Sequence, residues 1–123
     1  MDNLDAIAAL GALGQATRLE CFRLLVRHEP DGVPAGEIAR LLGVPQNTVS
    51  VHLAVLTRAR LAGFERQGRS IIYRARLSRL RELMLFLAQD CCGGRAELCA
   101  PLIADLIPCC AFPGQPVPGG NYG

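Results

Sequence analysis

Residues 46–73, QNTVSVHLAVLTRARLAGFERQGRSIIY, decide how the rest of the chain is read. Within them Val49, Leu53 and Leu56 recur at i, i+4 and i+7, which sets the buried side of a helix running from Gln46 to about Leu61. At about 100° per residue, the outward arc then holds Asn47, Ser50, Val51, Ala54 and Arg58. Two short β-prone runs follow, Phe64 to Gln67 and Ser70 to Ala75. Gly68-Arg69 joins them, and glycine there can take the positive φ that a tight hairpin requires.

Upstream, Pro34 can open a short helix with Ile38, Leu41 and Leu42 on its buried side before Gly43 ends it. Thr17 and Glu20 have capping-box spacing and introduce a run in which Leu19, Phe22, Leu25 and Val26 share a face, stopping before Pro30-Asp31-Gly32. Residues 3–11 form a first amphipathic helix, with Leu4, Ile7 and Leu10 on one side and Gly11 closing it. Downstream of the hairpin, Ser78 caps a long helix to about Cys92, striped by Leu80, Leu83, Met84 and Leu87 and stopped by Gly93-Gly94. The chain thus reads as a mainly α domain with a small β-hairpin over 1–92, a thiol-containing extension over 93–107, and a Pro/Gly-rich tail over 108–123 with the composition of a disordered segment.

The 123-residue length admits one domain and a short tail. Half of the residues are apolar but tryptophan is absent and aromatics are few, so the core must come from Leu, Ile, Val and Ala, as packed helices allow. No apolar run approaches the ~18 residues that cross a bilayer, and Met1-Asp2-Asn3 is acidic rather than basic. A cytoplasmic protein with no membrane partner is expected. The net charge is only +2, but it is unevenly placed. All thirteen cationic residues are Arg, and eight of them (Arg58, Arg60, Arg66, Arg69, Arg74, Arg76, Arg79, Arg81) lie between 58 and 81 against one acid, Glu65. The planar Arg fork suits phosphate and guanine edges, so the cluster points to nucleic acid; a solvated face in an Arg-rich composition is the plainer alternative.

A short helix, a Gly-containing turn, a second helix with small polar residues at its start and then a basic hairpin is the order of a winged helix-turn-helix. The second helix must enter the major groove N-terminus first, so its leading side chains have to be short or able to hydrogen-bond. Gln46, Asn47, Thr48 and Ser50 meet that demand. Val51 on the outward arc suits a thymine methyl, or is an exposed valine without consequence. His52 lies at the edge of the buried arc, where packing or a phosphate contact fits better than base readout. Arg58 ends the arc, and Arg66 and Arg69 flank the hairpin tip, within reach of backbone or minor groove, while Ile71, Ile72 and Tyr73 anchor the hairpin.

Thr17-Arg18-Leu19, Thr48-Val49-Ser50-Val51-His52-Leu53 with Leu56, Leu61-Ala62-Gly63-Phe64, and Arg66-Gln67-Gly68-Arg69-Ser70-Ile71-Ile72-Tyr73 together resemble the ArsR/SmtB family of metalloregulatory repressors, over residues from about 4 to 92. The resemblance implies a homodimer built from the first and last helices, on a pseudo-palindromic operator in double-stranded DNA. Leu4 and Ile7 with Leu80, Leu83, Met84 and Leu87 are the expected seam, since such a stripe needs a partner surface.

Many relatives in that family carry a Cys-containing metal box in the first helix of the helix-turn-helix, but Gly36-Glu37-Ile38-Ala39-Arg40-Leu41 has no cysteine. The His and carboxylate ligands that zinc sensors place on the last helix are also missing, since the histidines are His28 and His52. Any sensing falls to the C-terminal thiols. Cys91 and Cys92 diverge by about 100° in an intact helix, but Gly93-Gly94 permits fraying, and the chain can return to bring in Cys99. Three thiolates without nitrogen or oxygen ligands favour a soft guest. The cluster looks like the arsenite site of some ArsR repressors, which implies As(III) or Sb(III) as inducer on Cys91, Cys92 and Cys99, and control of an arsenic-resistance operon. A four-sulfur zinc, cadmium or lead site drawing on Cys109 and Cys110, and a redox or persulfide sensor, remain the alternatives. Cys21 reads as a small core residue. An enzyme fits poorly, because thiols at a helix C-terminus beside Asp90 are disfavoured as thiolates.

Overall fold

The computed structural model describes residues 1–91. The elements run α1 (Asn3–Leu13), α2 (Ala16–Arg27), β1 (Val33–Pro34), α3 (Ala35–Leu42), α4 (Gln46–Arg58), β2 (Ala62–Gln67), β3 (Ser70–Ala75) and α5 (Leu77–Cys91). Contacts divide the chain into a unit of residues 1–84 and a second beginning at Leu85. In the second unit, Leu85 and Leu87 of α5 are exposed and Ala88 is buried. Cys92, Cys99, Cys109 and Cys110, with the extension and tail that carry them, lie outside the described residues.

The capping box sits at the start of α1 rather than at Thr17. Asp2 accepts from the Asp5 backbone at 2.8 Å and the Asp5 carboxylate faces the Asp2 N–H. α1 continues through Gly11 to Leu13, and Gly14 caps it, because one helical glycine costs only about 1 kcal/mol relative to alanine and packing outweighs that. Its buried face is Ala6, Ala9 and Ala12, three small side chains that let the α1 backbone lie close to its neighbours α2 and α4. Leu4, Ile7 and Leu10 are therefore turned outward, 76%, 57% and 44% exposed.

Gln15 caps α2 by accepting from the Arg18 N–H at 2.7 Å, so Thr17 is already inside the helix. Helix α2 buries Cys21, Phe22, Leu24 and Leu25, a face rotated from the expected one, and Leu19 is exposed. In α3 the buried pair is Ile38 and Ala39, while Leu41 faces outward. In both helices the apolar count exceeds the area the core accepts, and packing geometry chooses which leucines remain outside.

Burial pushes the Cys21 thiol up to about 11, because the thiolate would have to form without water. The unfolded chain releases this proton from about pH 9, whereas the folded chain holds it to about pH 11. Its contribution to stability is complete below pH 9 and lost as pH rises through that window. Urea unfolding between pH 8 and pH 11 is expected to show a fall of about 2 kcal/mol that is missing from Cys21→Ala.

Helix α4 stops at Arg58, about a turn earlier than its apolar pattern suggests. Arg60 takes φ 64°, its N–H donates to the Thr57 carbonyl at 3.0 Å, and the Leu61 N–H donates to the Leu56 carbonyl at 2.9 Å. This is a Schellman closure in which the fully buried Leu56 and Leu61 supply the apolar contact. Arginine occupies the left-handed position where glycine is unstrained, so Arg60→Gly should raise the unfolding free energy by about 1 kcal/mol in urea titration.

The three-stranded antiparallel sheet has the order β1-β3-β2. The hairpin is in the expected register, with Gln67 opposite Ser70 and Phe64 opposite Tyr73, and Gly68 has φ 63°. Strand β1 is an addition: Val33 pairs with Tyr73 and Pro34 with Ile72. Two residues are too short for an alternating pattern, and Pro34 is tolerated because β1 is an edge. Helix α5 begins at Leu77, so Ser78 lies within its first turn. Leu83, expected at a dimer seam, is only 3% exposed. Among the described residues no helix is long and apolar enough to cross a membrane.

Candidate nucleic-acid interface

Val49, Leu53 and Leu56 are buried where α4 meets α2 and α3, and this fixes the rotation of the helix about its axis. The opposite arc is open. Asn47, Ser50, Val51, Ala54 and Arg58 are all exposed, Val51 to 62%, and Gln46 joins them at the first position. Thr48 and His52 are half-buried at the edges of this arc. Pro45, the N-cap, makes no side-chain capping bond, although the Asn47 carboxamide accepts from the Thr48 N–H at 3.0 Å. The first turn of α4 thus presents donors and short polar groups at the positive end of the helix dipole.

The hairpin extends from the far end of α4. Ile72 is buried, which holds one face of β3 to the domain, and on the opposite face the half-buried Tyr73 ring lies 5.6 Å from that of the exposed Phe64. Arg66, Gln67, Gly68 and Arg69 at the tip are exposed. Arginines differ in their partners: Arg74 pairs with Glu29 at 3.2 Å, and Arg79 with Asp5 at 3.4 Å and Glu82 at 3.3 Å. Arg58, Arg66 and Arg69 form no ion pair among the described residues, so their charge is available to a polyanion. Among the described residues no group of His, Cys, Asp and Glu is arranged to hold a metal.

A helix-turn-helix domain model matches residues 13–62, which covers α2 to the end of α4. The ArsR-like transcriptional regulator from Rhodococcus sp. RHA1 superposes with a TM-score of 0.65 at 27% identity, over 82% of this chain and 89% of that one. The homodimeric winged helix-turn-helix DNA-binding domain of Mb0332 from Mycobacterium bovis, a possible ArsR-family regulator, matches with a TM-score of 0.56 at 28% identity, over 68% of this chain and 77% of that one. The fold is a winged helix-turn-helix. In sequence, the HTH-type transcriptional regulator KmtR of Mycobacterium tuberculosis is 36% identical over 73 residues, 59% of this chain, which spans about half the length of that relative.

Within the winged helix-turn-helix, α3 and α4 are the helix pair, with α4 in the recognition position, and β2–β3 is the wing. Gln46, Asn47, Thr48, Ser50, Val51, His52 and Arg58 all lie on one helix, and Arg66 and Arg69 lie together at the wing tip. Of the expected seam residues in the first unit, Leu4, Ile7 and Met84 are exposed, Leu80 is half-buried and Leu83 is buried. Arg18 did not stand out as a site residue in the sequence. Its nitrogens bond to carbonyls of α1 and approach His52 of α4, and the one available clue was an absence of basic residues at the end of the first helix.

Proposed function

We propose that this chain is an ArsR-type transcriptional repressor that binds a pseudo-palindromic operator as a homodimer and leaves it when As(III) or Sb(III) is captured by Cys91, Cys92 and Cys99. One observation carries the DNA-binding part: α4 has an exposed polar arc, and Arg66 and Arg69 at the wing tip form no ion pair among the described residues. The outward Leu4-Ile7-Leu10 strip supports self-association, because contiguous exposed apolar side chains are costly unless covered. Two recognition helices about 34 Å apart then meet successive major grooves on one side of a duplex.

The donor set supports the ligand assignment. Three thiols with no histidine near them in sequence suit a thiophilic ion that takes three sulfurs. Cys91 closes α5, so capture of an ion there acts on the end of that helix. To take the operator from nearly full to nearly empty, the ligand must prefer the DNA-free conformation by about 10⁴-fold. The protein binds and releases; no step of this function is catalytic.

The test is a titration of the reduced protein, bound to a fluorescent duplex it has selected from a random pool, with arsenite, antimonite, zinc, cadmium, lead and peroxide. Anisotropy should collapse with arsenite or antimonite. Cys91→Ser and Cys99→Ser should bind the duplex as the parent does and fail to release it. Release by cadmium, lead, zinc or peroxide alone would move the assignment to another thiol ligand, and normal release from the serine variants would remove the thiols from the mechanism.

A further inference from the structure

The last turn of α1 carries no basic residue; the Gly14 N–H caps the Gly11 carbonyl at 3.2 Å, and the carbonyls after Gly11 find no partner within the helix. Arg18, the third residue of α2, supplies the missing charge. Its Nε donates to the Ala12 carbonyl, and one terminal nitrogen reaches the Gly11 carbonyl at 3.5 Å. The other terminal nitrogen lies 3.4 Å from Nδ1 of His52 in α4. Gln15 holds the base of the same residue by accepting its backbone N–H. Three helices therefore converge on one guanidinium.

The chemistry of that contact is one-sided. A guanidinium has only donors, so Nδ1 of His52 accepts and the proton of the neutral ring sits on Nε2. His52 is half-buried and directly follows Val51 of the exposed arc. We propose that Arg18 is a positioning residue for DNA binding, tying the C-terminal turn of α1 to the recognition helix and fixing His52 with Nε2–H as the donor for a backbone phosphate. Through this tie, a shift of α1 reaches the helix that reads DNA without passing through the hydrophobic core. The inference rests on the DNA-binding reading given above.

The full-length chain, its single variants Arg18→Lys and His52→Gln and the double variant test it on the selected duplex. Lysine keeps the charge without the planar fork, and glutamine keeps a distal donor without the Nδ1 acceptor. Each single variant should weaken duplex binding by about tenfold, the scale of one charge-assisted hydrogen bond. The double variant should be no weaker than the weaker single. Dimer dissociation by sedimentation should stay at the parent value, and the thermal midpoint should fall by no more than the few degrees that loss of a helix-cap bond costs. Nitrogen-15 spectra should show the Nε2–H tautomer of His52 in the parent and a tautomer mixture in Arg18→Lys.

Losses that multiply in the double variant, parent-like binding by Arg18→Lys, or a parent His52 protonated on Nδ1 would overturn the proposal. So would loss of dimerisation in step with loss of binding, which marks a purely structural residue. A parent chain that selects no duplex would instead sink the DNA-binding reading, and the tautomer measurement would still decide whether the tie exists.

Discussion

Ser50→Glu is expected to reduce affinity for the selected duplex by more than about 100-fold at ~0.15 M salt, while leaving dimerisation and the unfolding midpoint unchanged. Ser50 lies on the exposed arc of α4, so a longer side chain there displaces nothing inside the protein. It sits between Asn47 and Ala54, one position before the highly exposed Val51, and under the proposed docking a carboxylate at this point would face the phosphate-lined groove. Like charges brought together across an interface cost several kcal/mol. Ser50→Ala, which removes only a hydroxyl, should lose no more than about tenfold. Anisotropy titrations of the two variants measure the difference. Parent-like binding by Ser50→Glu would mean that α4 is not the reading element.

Gly32→Ala should cost about 3–5 kcal/mol in urea unfolding, the largest stability effect expected from adding one methyl group to this chain. Gly32 has φ 80°, a region that side chains disfavour. A Cβ there would also meet the Ile72 side chain at 2.6 Å, the Arg74 side chain at 2.7 Å and the Tyr73 carbonyl oxygen at 2.9 Å. The Tyr73 oxygen belongs to strand backbone and cannot swing away. Val33 and Pro34 follow at once and pair with β3, so relieving the clash means loosening β1 from the sheet. Gly43 and Gly68 provide the control, with φ 70° and 63° but open space where a Cβ would stand. Alanine at either should cost only the left-handed backbone term, about 1–2 kcal/mol. If all three substitutions cost the same, crowding by β3 contributes nothing at Gly32.

The recognition helix and wing were the most legible parts of the chain. Val49, Leu53 and Leu56 mark a helical period that only one rotation of α4 satisfies, and all three are buried as that rotation requires. The hairpin was legible for a different reason: Gly68 lies between two β-prone runs and has the positive φ its loop needs. Helices α2 and α3 were less so. Their apolar residues cover more than one face, and nothing in a periodic pattern says that Cys21 and Leu24 go inside while Leu19 and Leu41 stay out. The thiol ligand set rests on the family resemblance and on the softness of sulfur, and Cys92 and Cys99 lie outside the described residues.

By itself, the sequence determined the order of helices, the exposed face of α4, the hairpin turn and the concentration of arginine that follows α4, because each depends on residues close together in the chain. Only the tertiary structure decided which arginines form ion pairs among the described residues, that β1 joins the sheet, and that Leu83 is buried. It also decided that Arg18 joins α1 to His52, 34 residues away in the chain. These outcomes depend on distances between segments remote in sequence, and a local pattern of residue types carries no information about which remote partner will arrive within hydrogen-bonding range.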